Sequence, residues 1–250
     1  MQTIYERFQS ACNTVMHGDA NHEQTSQIGT LGEKTLHAVA KRYIEPDETK
    51  HEVKVGPFYA DIATDGAIVE IHTRSFNTLR KKLEAFMEAS PVTVVYPLPD
   101  TKWLLWIDKQ TGEITKKRKS PRHGNLYDSI HELYKIKPLM THENFHLHII
   151  FMDIEEYRYL DGWSKNKKRG SSRYERIPIA IKEEVFFNTK EDYIQFIPES
   201  VPNPFTSNDF KRAVNINMRT AQTALNILHH LNVIRRIGKQ GNSHVYERNI

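Results

Sequence analysis

Tyr59-Ala60-Asp61-Ile62-Ala63-Thr64-Asp65-Gly66-Ala67-Ile68-Val69-Glu70-Ile71-His72-Thr73 decides how this chain folds. The Asp65-Gly66 dipeptide between alternating apolar residues is a strong hairpin signal, so the pattern predicts one strand over 58–63 and a second over 67–72. Asp61 and Glu70 then stand in otherwise apolar strands, nine positions apart. A buried charge without a partner is expensive, so such carboxylates meet a basic side chain or a metal ion. Residues two apart on a strand share a face, which puts Glu70 and His72 together and lets Asp61 join them from the neighbouring strand. Oxygen ligands in that arrangement suit Mg²⁺ or Mn²⁺.

Working outward, Leu31-Gly32-Glu33-Lys34-Thr35-Leu36-His37 opens a helix, Leu79 to Met87 reads as another, and Pro91-Val92-Thr93-Val94-Val95-Tyr96-Pro97 reads as a buried strand. In element order and motif, roughly residues 25 to 110 resemble the PD-(D/E)XK nuclease superfamily. The resemblance implies an α/β domain, a mixed sheet flanked by helices and restriction-endonuclease-like. It implies a divalent-metal-dependent nuclease in which Asp61 and Glu70 hold the metal and Glu33 acts through the metal's water shell. One position departs from the family, because His72 occupies the slot of the catalytic lysine that orients or deprotonates the attacking water. Three readings follow: His72 takes the role, Arg74 or Lys82 reaches in, or cleavage is lost and the fold kept. The expected catalytic set is Glu33, Asp61, Glu70 and His72.

Ser207 to Ile250 reads as a small α+β winged helix domain. Asn208 is placed to cap a first helix, Met218 to Leu231 forms a second, and strands over 232–238 and 244–248 make the hairpin. Ala221, Ala224, Leu225, Leu228 and Leu231 give the second helix a buried stripe. Between Asn208 and Ile250 seven basic residues (Lys211, Arg212, Arg219, Arg235, Arg236, Lys239, Arg248) face two acidic ones (Asp209, Glu247), a balance of +5 in a chain whose net charge is +4. The positive excess is therefore concentrated here, as expected of phosphate binding. Asn217, Arg219, Thr220, Gln222, Thr223 and Asn226 are assigned to the exposed face of the second helix, able to hydrogen-bond base edges in a major groove.

Pro198, Pro202 and Pro204 within seven residues oppose helix and sheet and predict a boundary, giving domains over 1–200 and 205–250. Two basic stretches lie before it. Lys116, Lys117 and Arg118 open a loop broken by Pro121. Lys168 and Arg169 belong to a Gly/Ser-containing run from Lys165 to Arg176, expected to be mobile. Each reads either as a grip on a nucleic-acid backbone or as a solvated loop. His146 and His148 share a strand face, an arrangement that can bind zinc but more often forms a polar strand face. Trp103 and Trp106 read as packing residues rather than a base-stacking platform.

The single Cys12 excludes an intramolecular disulfide. No run of about 18 apolar residues and no secretory leader pattern is present, so the expectation is a cytoplasmic protein without membrane contact. Phosphate-loop and G-x-S-x-G motifs are absent from the sequence, so no nucleotide cofactor is expected. The sequence reading is thus a Mg²⁺- or Mn²⁺-dependent endonuclease acting on DNA, with a homodimer favoured for paired cuts. Its rivals are a catalytically silent DNA-binding regulator that keeps the nuclease fold, and a module whose basic loops meet an acidic protein.

Overall fold

The computed structural model describes residues 3–18, 35–73, 75–161 and 172–249. Thr3 caps α1 (Ile4–His17) through a reciprocal pair with Glu6, which satisfies two backbone N–H groups at the helix start. Then come α2 (Thr35–Ile44) and the strands β1 (His51–Val55), β2 (Phe58–Ala63) and β3 (Ile68–Ile71), with α3 (Arg80–Met87) after them. The long strand β4 (Val92–Ile107) leads to β5 (Arg118–His123), the short α4 (Ile130–Leu133) and a 3₁₀ segment Tyr134–Thr141. The strands β6 (Phe145–Tyr159) and β7 (Arg173–Phe187) complete a seven-stranded sheet.

The sheet runs β1-β2-β3-β4-β6-β7, with β5 beside β4. It is mixed, because β3, β4 and β6 are parallel while the outer pairs are antiparallel. This is the anticipated α/β architecture with helices on both faces. Period-two alternation explains the layers. Val94, Leu147 and Ile149 join one apolar cluster, while their neighbours Val95, Ile150 and Met152 join a second, under Phe8, Cys12, Leu36 and Tyr43 of α1 and α2.

The sequence suggests separate strands over 91–97 and 103–108, but β4 is one strand of 16 residues. Pro97 and Pro99 are tolerated because β3 pairs only as far as Val95 and β5 starts at Thr101. On that edge, therefore, the prolines' missing N–H groups face no partner strand. A register shift between Pro99 and Lys102 bends the sheet here. The turn relies on Gly124, whose N–H donates to the Asp100 carbonyl at 2.7 Å and where an added Cβ would fall 1.9 Å from the Pro99 oxygen.

The C-terminal unit contains β8 (Phe205–Thr206), α5 (Ser207–Ala213), α6 (Met218–His230), β9 (Ile234–Gln240) and β10 (Ser243–Arg248), its sheet ordered β8-β10-β9. The α5 cap is Thr206, reciprocally bonded with Asp209, rather than Asn208. Thr206 wins because its side chain and that of Asp209 each reach the other's backbone N–H. The proline-rich segment before this unit is packed: Val201 is buried, and the Arg248 guanidinium donates to the carbonyls of Pro198 and Val201. One apolar cluster runs from Val94 and Leu147 through Phe196 and Phe205 to Phe210, Leu225 and Leu228. The two units therefore share a core. Among the described residues no helix is long and apolar enough to cross a membrane.

Candidate active site

The strands β2 and β3 pair only at Ile62–Val69 and Ala63–Ile68, next to the hairpin turn. Past those pairs the ladder stops, and the two carboxylates fill the fork. The Asp61 N–H donates to Glu70 Oε1 at 3.1 Å, and the Ile71 N–H donates to Asp61 Oδ2 at 2.7 Å. Each acid thus satisfies a backbone donor that strand separation would otherwise orphan. This reciprocal exchange fixes both side chains.

Two basic side chains close the site. Lys82, in the first turn of α3, places Nζ 2.7 Å from Glu70 Oε2; Glu70 is 1% exposed and Lys82 22%. From the other side of the sheet, α2 brings His37 Nε2 to 3.3 Å from Asp61 Oδ2. Burial and the nearby Asp61 charge push Glu70 up to about 7, against the pull of Lys82. Burial also raises Asp61, but His37, the Ile71 N–H and Lys82 outweigh it and leave its carboxyl below the usual range. The fork therefore holds two acids whose proton affinities are driven apart, a pattern found at catalytic sites.

The charges of Asp61 and His37 reach His72, but its ring nitrogen is hydrogen-bonded to neither. Its Nε2 hydrogen-bonds the Ser75 carbonyl at 2.8 Å and its ring meets Phe76 edge-on at 5.5 Å, while burial lowers its pKa. The cation beside Glu70 is Lys82, one of the two alternatives to His72 that the sequence offered. Glu33 and Arg74 lie outside the described residues, as do Lys168 and Arg169.

The remaining candidates scatter. Lys116, Lys117 and Arg118 are exposed ahead of and at the start of β5; Lys117 pairs with Glu155 at 2.5 Å and lies 4.9 Å from the Trp103 ring centre. On α6, Arg219 and Gln222 are exposed, and the Thr223 hydroxyl donates to the Arg219 carbonyl at 2.8 Å. Thr220 does not share that face: it is 7% exposed and bonded to His131 at 3.1 Å, because its position on the helix turns it into the packed stripe. Arg235 pairs with Glu247 across the hairpin, Arg236 lies over the Tyr246 ring, and Lys239 is exposed. His146 and His148 do not converge, since His146 hydrogen-bonds the Asn188 carbonyl and His148 the Glu184 carboxylate at 2.8 Å. Glu184 also accepts from the Tyr43 hydroxyl, on the wall of a cleft of about 800 Å³.

A basic tract was not legible beforehand. At the far end of the sheet Glu156, 1% exposed, is ion-paired with Arg158 and Arg173. The Arg176 guanidinium donates to the Thr73 carbonyl at 3.1 Å, next to His72. Burial, then the charge of Arg173, lowers Arg176 to about 10, and burial also lowers the nearby Lys102. The sequence shows Arg173 and Arg176 only as the end of a charge run; pairing of β7 with β6 brings them to Glu156.

Among the described residues no group of three or more His, Cys, Asp or Glu side chains is arranged to hold a metal. The two carboxylates nevertheless fit Mg²⁺, which is commonly held by one or two carboxylates plus water and substrate phosphate. Two buried acids that raise one another's charging cost also suit a divalent cation.

Residues 34–188, more than half of the chain, match the model of a family described as Domain of unknown function (DUF8091). The chain belongs to this family. The DUF8091 match includes Asp61, Glu70, His72 and Lys82 and stops before β8. An uncharacterized protein of Treponema pallidum (strain Nichols) is 28% identical over 167 residues, 66% of this chain and 64% of that protein. The chain thus spans a little under two thirds of this relative's length. No solved structure matches the chain.

Proposed function

We propose that the protein is a divalent-metal-dependent nuclease of restriction-endonuclease-like fold acting on DNA, with its C-terminal unit serving as a winged helix that holds the duplex. The observation that carries this reading is the fork itself: Asp61 and Glu70 side by side, with Lys82 at 2.7 Å from Glu70. Asp61 and Glu70 would hold Mg²⁺ or Mn²⁺, whose chemistry is to stabilise charge developing on phosphoryl oxygens. Lys82 takes the part of the missing lysine: its ammonium donates to a water near Glu70 and offsets negative charge there. His72, tied to Ser75, positions the loop after β3. Arg176, with Arg158 and Arg173 behind it, offers cations for the phosphate backbone beside that loop.

Cleavage of supercoiled plasmid and of short single strands in Mg²⁺, then Mn²⁺, tests this reading. Cutting by the wild type that disappears in Asp61→Asn, Glu70→Gln and Lys82→Met, but persists in His72→Gln, is the expected result. Duplex binding without any cutting would instead favour the catalytically silent DNA-binding regulator. A protein that neither cuts nor binds nucleic acid would remove both.

A further inference from the structure

The apolar cluster under α1 and α2 takes Ile150, Met152 and Ile154 of β6 and, among the described residues, none further along that strand. The next two residues on the same face are Glu156 and Arg158. Strand register sets out what shares this face with them. One row crosses Arg118 of β5, Leu104 of β4, Glu156 of β6 and Arg176 of β7, and the next crosses Trp106, Arg158 and Arg173. At about 4.8 Å between strands, the first row is about 14 Å wide. Four arginines thus share two rows with one acid. Glu156 fixes two of them: Arg158 donates from Nε to Oε1 at 2.6 Å, and Arg173 Nε lies 3.5 Å from Oε2. A single buried carboxylate cannot balance four guanidinium groups that stay charged at neutral pH, so the surplus calls for a polyanion.

Trp106 narrows the choice of polyanion. Read from the sequence as a packing residue, it is only half-buried. Trp103, on the opposite face, is covered by Lys117 and Lys119, 4.9 and 6.0 Å from its ring centre, whereas among the described residues no cation or ring lies over Trp106. A duplex keeps its bases stacked inside, so an uncovered indole among arginines suits an unpaired base, which can stack on it.

We propose that Trp106, Arg118, Arg158, Arg173 and Arg176 form a platform for single-stranded DNA, in which one base stacks on the indole and the guanidinium groups hold the phosphates on either side. This rests on the reading above that these arginines hold nucleic-acid backbone, and it names the DNA held there as unpaired. The Arg176 guanidinium also donates to the Thr73 carbonyl, two residues past β3, so the platform opens onto the loop beside the fork. A substrate with a duplex for α6 and a single-stranded arm for this face fits both surfaces.

The test is fluorescence anisotropy of the full chain with labelled oligothymidylate, titrated with salt in EDTA to prevent cutting, with a labelled duplex run alongside. Wild type should bind the oligomer. Trp106→Ala should weaken that binding about tenfold at unchanged duplex affinity, and Trp106→Phe should recover most of the loss. Arg118→Gln and Arg173→Gln, both at exposed positions, should each lower the salt slope by about 0.7. Oligomer binding that none of these variants changes overturns the platform. So does a loss confined to the arginine variants, which would make the face a general polyanion surface. If wild type binds the duplex but not the oligomer, the platform falls and the duplex reading stands; if it binds neither, both fall.

Discussion

Replacing Lys82 with Met leaves Glu70 buried beside Asp61 without its ammonium partner. At 2.7 Å and an effective dielectric of about 20, the pair's gross attraction is about 6 kcal/mol. Stripping one partner from a buried pair costs about 3–5 kcal/mol when the other stays charged. Glu70 has an escape, because burial already places its pKa at about 7, against an ordinary 4.5. A carboxyl whose folded pKa is raised contributes stability that is complete below the unfolded value and lost as pH rises through the folded one. In the wild type that loss is over a little above pH 7. In Lys82→Met the folded pKa moves higher, so the loss continues upward, at up to about 1.4 kcal/mol per pH unit for one proton. Urea unfolding in metal-free buffer at about pH 6 and about pH 9 reads the difference, which should be small at the lower pH and grow by about 2–3 kcal/mol at the higher. Wild-type and variant stabilities that run parallel across that range would refute the assignment of Lys82 as the charge partner of Glu70.

Gly124→Ala should cost about 1–3 kcal/mol in chemical denaturation, since a Cβ would overlap the Pro99 carbonyl and force β5 away from β4. Thr206→Ala removes the reciprocal cap of α5 and should cost about 1 kcal/mol, with Thr206→Ser recovering most of it. Phe210, fully buried where the C-terminal unit meets the first, should cost about 3–5 kcal/mol when changed to Ala. Because the core is shared, wild type should unfold in one transition by both fluorescence and circular dichroism; two separated transitions would contradict that packing.

The hairpin of β2 and β3 could be read locally, because a two-residue turn signal and period-two alternation are properties of a short segment. So could the two carboxylates, since acids in apolar strands stand out wherever the strands end up. The same holds for α6, whose apolar residues recur at helical spacing. Three features needed the tertiary structure. Lys82 sits on a helix after Glu70, and only packing of α3 on the sheet turns it toward that acid rather than toward solvent. Arg173 and Arg176 reach Glu156 through the pairing of β7 with β6, and Arg158 joins them from β6 itself. Thr220 looked like a groove-facing residue until α4 arrived beside α6 and took its hydroxyl. The sequence by itself marked the hairpin of β2 and β3, the apolar stripe of α6 and the residues of unusual charge, because periodicity and turn chemistry act within a few residues, whereas β5 and the start of β7 lie in segments that read as basic loops and became strands through pairing with β4 and β6. Which cation faces which acid was decided by the tertiary structure, because ion pairing depends on distances between elements that no local pattern encodes.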